Sequence, residues 1–494
     1  MGGLVLALAR CGGYTTSIPT PPGSGVLLTE IGDAPICDVL SFRIRVSSMS
    51  LFHPNSSFPI PVFPASADIK VNLDSVRDTP TILNLGTVPA GEYDRARIAL
   101  HSPQVDVFDP TKTPPTSTLG TTLTNGSIQI TFNPPLSIVK NQITALLMDF
   151  DMRRSFQLDS KGQLTGKVTP VVSLVPISAS TSGSFGEMDD IVGFVRNVTP
   201  NSSPSSPFIG TIGLQLLSGT GPLIPANLTS STVTCGLPCV NGSPALNQLT
   251  TDSVIEMDGY VDTKGNLITN VVKVEGQENL SKNIVAFLGI ITSLTKDTSG
   301  NVLQFTLLNR EEEPDVSSLF LPLDQNLVVT VDPTTVYQSS SCSANCANPA
   351  LAFGPASLAV GQEVIVHGAY TVGSGITPTS VKADTKDGIP LKIYLKLQTH
   401  EGNFTSLVAV GSDDRTGAFW LKPCGSIFQN TPILVITSGA TNYLNVTGLN
   451  GLTSLPSLLV KGLLFFESTG TTINGVTVPP GTLVLLAKQV HELS

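Results

Sequence analysis

Three stretches of the chain repeat one pattern, and a repeat constrains architecture before any single element does. In SVIEMDGYVDTKGNLITNVVKVE, Gly259 is followed fourteen residues later by Lys273; in EVIVHGAYTVGSGITPTSVKADT, Gly368 is followed fourteen later by Lys382. Both run an alternating apolar strand, a glycine, an aromatic, a Gly-containing turn and a second strand ending in Val-Lys. Each unit also opens on a Gly-bearing strand, IVGFV at Gly193 and AFLGIITSL at Gly289. A more divergent copy closes the chain, LLVKGLLFFE with Gly462 and LVLLAKQVHEL with Lys488, its loop lengthened by TTINGVTVPPGT. A repeat of roughly 100 residues is too long for a solenoid unit and right for a small independent domain. The expected units are residues 191–278, 283–386 and 389–494.

Ahead of them, residues 26–178 read as one further unit. LSFRIRVSSMSLF alternates Phe42, Ile44 and Val46 with Arg43, Arg45 and Ser47, the period-2 signature of a half-buried strand. VPAGEYDRARIAL is a turn feeding a strand; SIQITF, QITALLMDFDM and GKVTPVVSLVPI supply others. SASTSGSFGEMDD reads as a linker over 179–190. Composition agrees with strands and turns. Charged residues are 13%, about half the usual share, Gly numbers 44 and Pro 37, and no long 3.6-period stripe with capped ends appears. The expected fold class is therefore all-β, an N-terminal β-sandwich followed by three tandem small β-barrel-like domains. A net charge of −10 with 27 scattered Lys and Arg argues against nucleic acid and against an anionic membrane surface, since both need a clustered basic face.

Two family resemblances sit on these units. The words GDAP (Asp33, Ala34, Pro35), VPAGEYDRARIAL and LLMDFDMRRSF (Asp149, Phe150, Asp151) occur in order over about 150 residues and resemble the bacterial domain-of-unknown-function 4382 family, which has Thr where this chain has Gly32. That resemblance implies an extracytoplasmic β-sandwich of unassigned activity. The three repeats resemble the domain-of-unknown-function 5666 family, small β-barrels with a closing V-x-V-x-G … A-x-x-V hairpin, often in tandem.

The N-terminus concerns address. Leu4 to Ala9 is an apolar run that stops at Arg10-Cys11, followed by a Gly/Ser/Thr/Pro-rich tether to residue 25. It resembles the end of a bacterial lipoprotein signal, with Cys11 as the lipid-attachment residue; Arg10 stands where a small residue is expected, and no basic segment precedes the run. An ordinary export signal is the alternative. No other segment approaches the ~20 apolar residues a spanning helix needs.

Cysteine usage fits export. Cys235 and Cys239 in the first repeat match Cys342 and Cys346 in the second, each pair followed by Pro-Ala-Leu. Residues four apart on extended chain stand ~13 Å apart, too far for a disulfide, so each pair must sit on a turn. A local disulfide is the simplest reading in an exported protein. Zinc would want four ligands and no histidine lies near; a redox motif would prefer two-residue spacing. Cys37 and Cys424 read as buried thiols, with a pair between domains as the alternative.

Chemistry is sparse. His53, His101, His367, His400 and His491 form no His-x-His or His-x-x-x-His pairing, and no Gly-x-Ser-x-Gly elbow or phosphate loop occurs. Asp149 and Asp151, two apart on a strand, share a face and are the best candidates for an ion site, with Ca²⁺ the one cofactor considered; a solvated face paired with Arg153 or Arg154 is the plainer reading. Residues 310–315 and 411–417 read as exposed turns. The expected function is an exported cell-surface protein, lipid-anchored or secreted, with a non-catalytic binding or structural role. Its partner would be a surface glycan, another protein or its own copies. The alternatives are a self-assembling filament subunit and a carbohydrate-active hydrolase working through carboxylates near Asp149 or Asp413-Asp414.

Overall fold

The computed structural model describes residues 23–493 apart from 35, 64–66, 77–79, 181–182, 204, 217–222, 236–238, 278, 311–324, 340–352, 373–377 and 455–456. Cys11, Cys342 and Cys346 lie outside the described residues. The protein is all-β, as its patterning implies, with four units that each close a core.

The first unit is a two-sheet sandwich. Its principal strands are β1 (Ser24–Ala34), β2 (Val39–Phe52), β3 (Ile69–Asn72), β4 (Thr81–Pro89), β5 (Gly91–Phe108), β6 (Ser127–Ile138), β7 (Ile143–Asp151) and β8 (Val172–Ile177). One sheet runs β8-β7-β1-β4, with β1 and β7 parallel; in the other, β2 and β5 pair centrally and carry β3 and β6. The motif words have structural roles. Tyr93 is fully buried, and its hydroxyl donates to the Pro89 carbonyl at 2.7 Å, so the Pro-Ala-Gly-Glu-Tyr corner ties back on itself. Asp33 Oδ1 accepts the Met152 backbone N–H at 3.2 Å, joining the Asp-Ala-Pro word to the end of the Asp-Phe-Asp word. Phe150 of the latter meets Phe42 of the opposite sheet edge-on at 5.6 Å.

The three repeats are closed five-stranded barrels of one topology. Barrel one consists of β9 (Phe185–Pro200), β10 (Phe208–Leu216), β11 (Ile224–Cys235), β12 (Ser253–Val261) and β13 (Leu267–Gln277). Barrel two has β14 (Ile284–Lys296), β15 (Val302–Asn309), β16 (Asn326–Thr330), β17 (Glu363–Val372) and β18 (Pro378–Lys382), with β19 (Lys392–Leu395) added beside β17. Barrel three has β20 (Leu397–Val410), β21 (Gly417–Pro423), β22 (Ile433–Thr437), β23 (Leu458–Glu467) and β24 (Thr482–Glu492). In each, first pairs with second, second with third, third runs parallel to fifth, fifth pairs with fourth, and fourth returns to first. A short helical turn lies between third and fourth strands every time, at Ser243–Asn247, Pro355–Ser357 and Leu449–Ser454. This order, with a helical segment after the third strand, is the Greek-key barrel of the OB-fold.

The repeated glycines explain how the barrels close. A Cβ on Gly259, Gly368 or Gly462, in each fourth strand, would meet a fifth-strand carbonyl oxygen at 2.2, 2.9 or 2.3 Å. A Cβ on Gly193, Gly289 or Gly402, in each first strand, would meet a second-strand carbonyl at 2.5, 2.2 or 2.5 Å. These are the points where long strands coil tightly enough for neighbouring backbones to close ranks, and only glycine allows it. Asp-x-x-Gly-Asn turns cap two of the hairpins: Asp262 Oδ1 accepts the Lys264 and Asn266 amides at 2.9 and 2.8 Å, and Asp297 Oδ1 accepts those of Ser299 and Asn301 at 2.8 Å each.

Two expectations are corrected. The expected linker 179–190 is strand from Phe185 onward. The second unit extends to Leu395, because the strand at 392–395 pairs with β17 and so belongs to it rather than to the third. The units are packed on one another: Leu28, Ile82 and Ala145 of the sandwich share a core with barrel one, Ala286, Leu288, Ile365 and Tyr394 of barrel two close on Phe194 and Val254 of barrel one, Leu434 and Phe465 of barrel three join barrel two's core, and Leu40 and Phe108 of the sandwich join barrel three's. The four units thus form a closed ring.

Candidate functional site

At the centre of the ring lies a cavity of about 160 Å³ to which all four units contribute. Asp74 and Asn72 come from the sandwich, Ile191 and Leu216 from barrel one, Arg310 and Glu363 from barrel two, Lys396 from the link to barrel three, and Gln398, His400 and Lys461 from barrel three. Such a concave polar centre is the default place to look for function.

Its charges are paired across domain boundaries. Arg310, 5% exposed, is gripped by Asp74 of the sandwich and by Glu363 Oε2 at 2.6 Å. It had been expected in an exposed turn with residues 311–315; burial and two carboxylates place it inside instead, and residues 311–315 lie outside the described set. Gln398 fixes the adjoining backbones, its Oε1 accepting the Glu363 N–H at 2.6 Å and its Nε2 donating to the Gly361 carbonyl at 2.7 Å.

A second buried group stands between barrels one and two. Glu256, wholly buried on β12, pairs with Lys273 of β13 and with Lys396 just beyond β19. Glu275 lies beside them, and burial together with the Glu256 charge pushes its carboxyl well above the usual carboxylate range. The Tyr394 hydroxyl donates to the Glu275 backbone carbonyl, and His367 Nε2 donates to that of Gln277 at 3.0 Å, so barrel two holds the end of β13 by its backbone. Ion pairs of this kind do little for net stability but are severe to break singly, because a lone charge is then left buried.

The ring is clasped covalently. Cys37 of the sandwich and Cys424 of barrel three form a disulfide, with Cα atoms 5.2 Å apart and a sequence separation of 387. This overturns the reading of two buried thiols. Arg153 pairs with Glu401 and Asp38 Oδ1 accepts the Ser426 N–H at 2.8 Å across the same seam. Beyond the clasp an open groove of about 470 Å³ is lined by Asn403, Lys422, Gln429, Asn430 and Ser457. Cys37, Cys424 and Glu401 also bring two sulfurs and a carboxylate within 4.8 Å, but the sulfurs are bonded to each other.

The other residues singled out by sequence are dispersed. Cys235 is disulfide-bonded and its backbone pairs with Cys239, whose side chain is outside the described set. Asp149 is raised above the usual range by burial and by the Asp151 charge, while Ser173 hydrogen-bonds it. Asp151 caps the short helix Met152–Ser155, accepting the Arg154 N–H at 2.9 Å. Among the described residues no third metal-ligating side chain joins them. Asp413 accepts the Thr416 and Arg415 amides at 2.9 and 3.1 Å and Asp414 the Asn450 amide at 2.9 Å, so both organise turns. The buried charges escaped the sequence reading, although a signal existed: Glu256 and Lys273 sit between apolar neighbours inside strands of a chain otherwise poor in charge.

Residues 24–167 match the family described as a domain of unknown function, DUF4382, which covers most of the sandwich. No curated protein and no solved structure matches the chain. Among the described residues no helix is long and apolar enough to cross a membrane.

Proposed function

We propose that the protein is an extracytoplasmic binding or structural component, lipid-anchored through Cys11 or secreted, in which four β-domains are fixed as one rigid body. The observation that carries this reading is the Cys37–Cys424 bridge between the first and last units, since such bonds persist in oxidising compartments. Two buried ion pairs support it as well: Asp74 with Arg310 and Glu256 with Lys396 join one unit to the next. We further propose that the three barrels are tandem members of the domain-of-unknown-function 5666 family; the shared strand order and the repeated glycine pairs favour this. The groove beside the clasp, lined by barrel three with Asp38 of the sandwich, is the preorganised surface for a neutral glycan or a protein loop. Filament assembly has a narrower basis, because barrel closure removes strand edges and the sandwich edge strand β8 carries Pro176.

The test is surface labelling and non-reducing peptide mapping of cells exporting the full chain, with small-angle scattering of the purified protein. A Cys37–Cys424 peptide from surface-exposed protein and a compact, concentration-independent scattering profile are expected. Free thiols in protein confined to the cytosol would overturn the reading, and particles growing with concentration would favour assembly.

A further inference from the structure

At exposed Ser102 of the sandwich, β5 is interrupted by a bulge. Pairing with β2 passes from Arg45 opposite His101 to Arg43 opposite Gln104, so Ser102 and Pro103 together face one residue. Bulges of this kind re-aim side chains and occur beside active sites. Ser102 holds φ at 49°, in the left-handed region. A residue before proline is normally driven to extended backbone, and serine has no special tolerance for positive φ. Strain of this kind, imposed on one serine, is a reason to ask what that serine does.

Its hydroxyl lies 2.9 Å from His101 Nδ1, and His101 Nε2 lies 2.7 Å from Asp68 Oδ1. The other Asp68 oxygen accepts Arg45 Nη1 at 2.6 Å. Partial burial acts to raise the Asp68 carboxyl, but hydrogen bonds from Arg45 and His101 outweigh it and hold the group below the usual range. An ionised carboxylate can only accept, so Nε2 carries the imidazole proton and Nδ1 is left as the acceptor for the serine O–H. Nucleophile, base and orienting carboxylate therefore stand in sequence at hydrogen-bond distances, which is how an activated serine is recognised irrespective of chain order.

We propose that Ser102, His101 and Asp68 form a relay that takes an acyl group from an ester, an activity beyond the binding role and independent of it. Ser102 Oγ bonds to the ester carbonyl carbon as its proton passes to His101 Nδ1. The ester C–O bond breaks and the alkoxide takes that proton, leaving acyl-serine and an alcohol. Water then repeats the two steps, releasing the carboxylic acid and restoring the serine. Asp68 keeps the ring in the productive tautomer. The side chains of His101 and Asp68 are 43% and 35% exposed, so the relay meets its substrate in the open. The class that fits is a short acyl ester carried on a polymer or a surface, not a small molecule needing enclosure.

The test uses the full-length protein and a fluorophosphonate probe, whose phosphorus bonds to Oγ as fluoride leaves and the serine proton passes to the imidazole. Mass spectrometry should find the label on Ser102. S102A should carry none there, and H101Q should label at least tenfold more slowly. Matching melting curves of the three proteins separate lost reactivity from lost folding. Ser102 labelling no faster than the exposed Ser160, or an H101Q rate equal to wild type, would overturn the relay while leaving the binding reading untouched.

Discussion

Acidification is expected to weaken the junction between barrels one and two through one side chain, His367. It projects from β17 against Gly276, where a Cβ would meet its ring at 2.5 Å, and it donates to the Gln277 carbonyl at 3.0 Å. Burial pushes the imidazole down from 6.5 to about 4; the Gln277 carbonyl opposes this, and Lys392, which pairs with it across β19, adds to it. In the unfolded chain the ring takes up its proton near 6.5, so as pH falls below that value protons favour the unfolded state. The full loss, reached below pH 4, is about 3 kcal/mol, and about 2 kcal/mol has accumulated by pH 5. H367Q keeps a donor for Gln277 but cannot titrate. Urea unfolding of both proteins at pH 7.5 and pH 5 isolates the contribution, because every other titrating group is common to both. Wild type should lose about 2 kcal/mol more than H367Q over that interval, with amide exchange rising first around Val285 and Ala286. Equal losses in the two proteins, or an imidazole that titrates near 6.5 in the folded protein, would refute the argument.

Four further outcomes follow from the same structure. Glu30 is 3% exposed, and burial pushes its carboxyl up to about 7 from 4.5; stability should therefore fall between pH 4.5 and 7, and E30Q should exceed wild type by about 3 kcal/mol at pH 8 in urea titrations, but not at pH 4. Replacing Cys37 and Cys424 by serine removes a bridge spanning 387 positions, for which the loop-entropy rule gives about 6 kcal/mol. A protease site inserted at Gly300 should then release fragments that stay joined on non-reducing gels only in wild type. Gly259→Ala forces a Cβ to 2.2 Å from the Ile268 carbonyl and should lower stability by about 3 kcal/mol or more, whereas Gly120→Ala, with nothing within 4 Å, should be near neutral in thermal melts. Replacing Glu256, Lys273 and Lys396 together by Ile, Met and Met should leave unfolding free energy unchanged or raised by about 1–4 kcal/mol, while ion-mobility or scattering profiles broaden. E256I alone should instead destabilise by about 3–5 kcal/mol.

The β class, the sandwich and the three repeats were legible because alternation and turn chemistry are local, and because Gly259, Gly368 and Gly462 recur at positions where the barrel cannot take a side chain. Gly402 was missed: its strand, with His400, Glu401, Asn403 and Thr405 around the glycine, lacks the apolar run that frames Gly193 and Gly289. Closure of the barrels was not legible, since the parallel pairing of third and fifth strands is set by registers tens of residues apart. Nor was the ring. Cys37 and Cys424 have no shared local motif, and only the meeting of the first and last units brings their Cα atoms to 5.2 Å. The Ser102 relay was hidden for the opposite reason: His101 and Ser102 are adjacent in sequence, but a bulge is needed to turn the hydroxyl back onto the ring, and Asp68 joins them from another strand end.

Three barrels of one topology pose an assembly problem that apolar surfaces cannot solve. Hydrophobic contact is non-directional, and like domains in tandem are prone to docking in the wrong order. The charges differ from barrel to barrel where the topology does not. Three residues before the fourth-strand glycine stands Glu256 in barrel one, but Ile365 in barrel two and Leu459 in barrel three, all of them buried. Only barrel one can therefore receive Lys396. Arg310 comes at the end of barrel two's second strand and needs Asp74 of the sandwich, and Glu401 at the start of barrel three takes Arg153 of the sandwich beside the disulfide. A misdocked barrel would leave at least one of these charges buried without its mate, a penalty of several kcal/mol per ion, whereas its apolar residues would be nearly as well buried as before. Arg43 and Asp106 pair inside the sandwich itself, but Asp74 with Arg310, Glu256 with Lys396 and Arg153 with Glu401 stand at domain junctions, where they discriminate between arrangements.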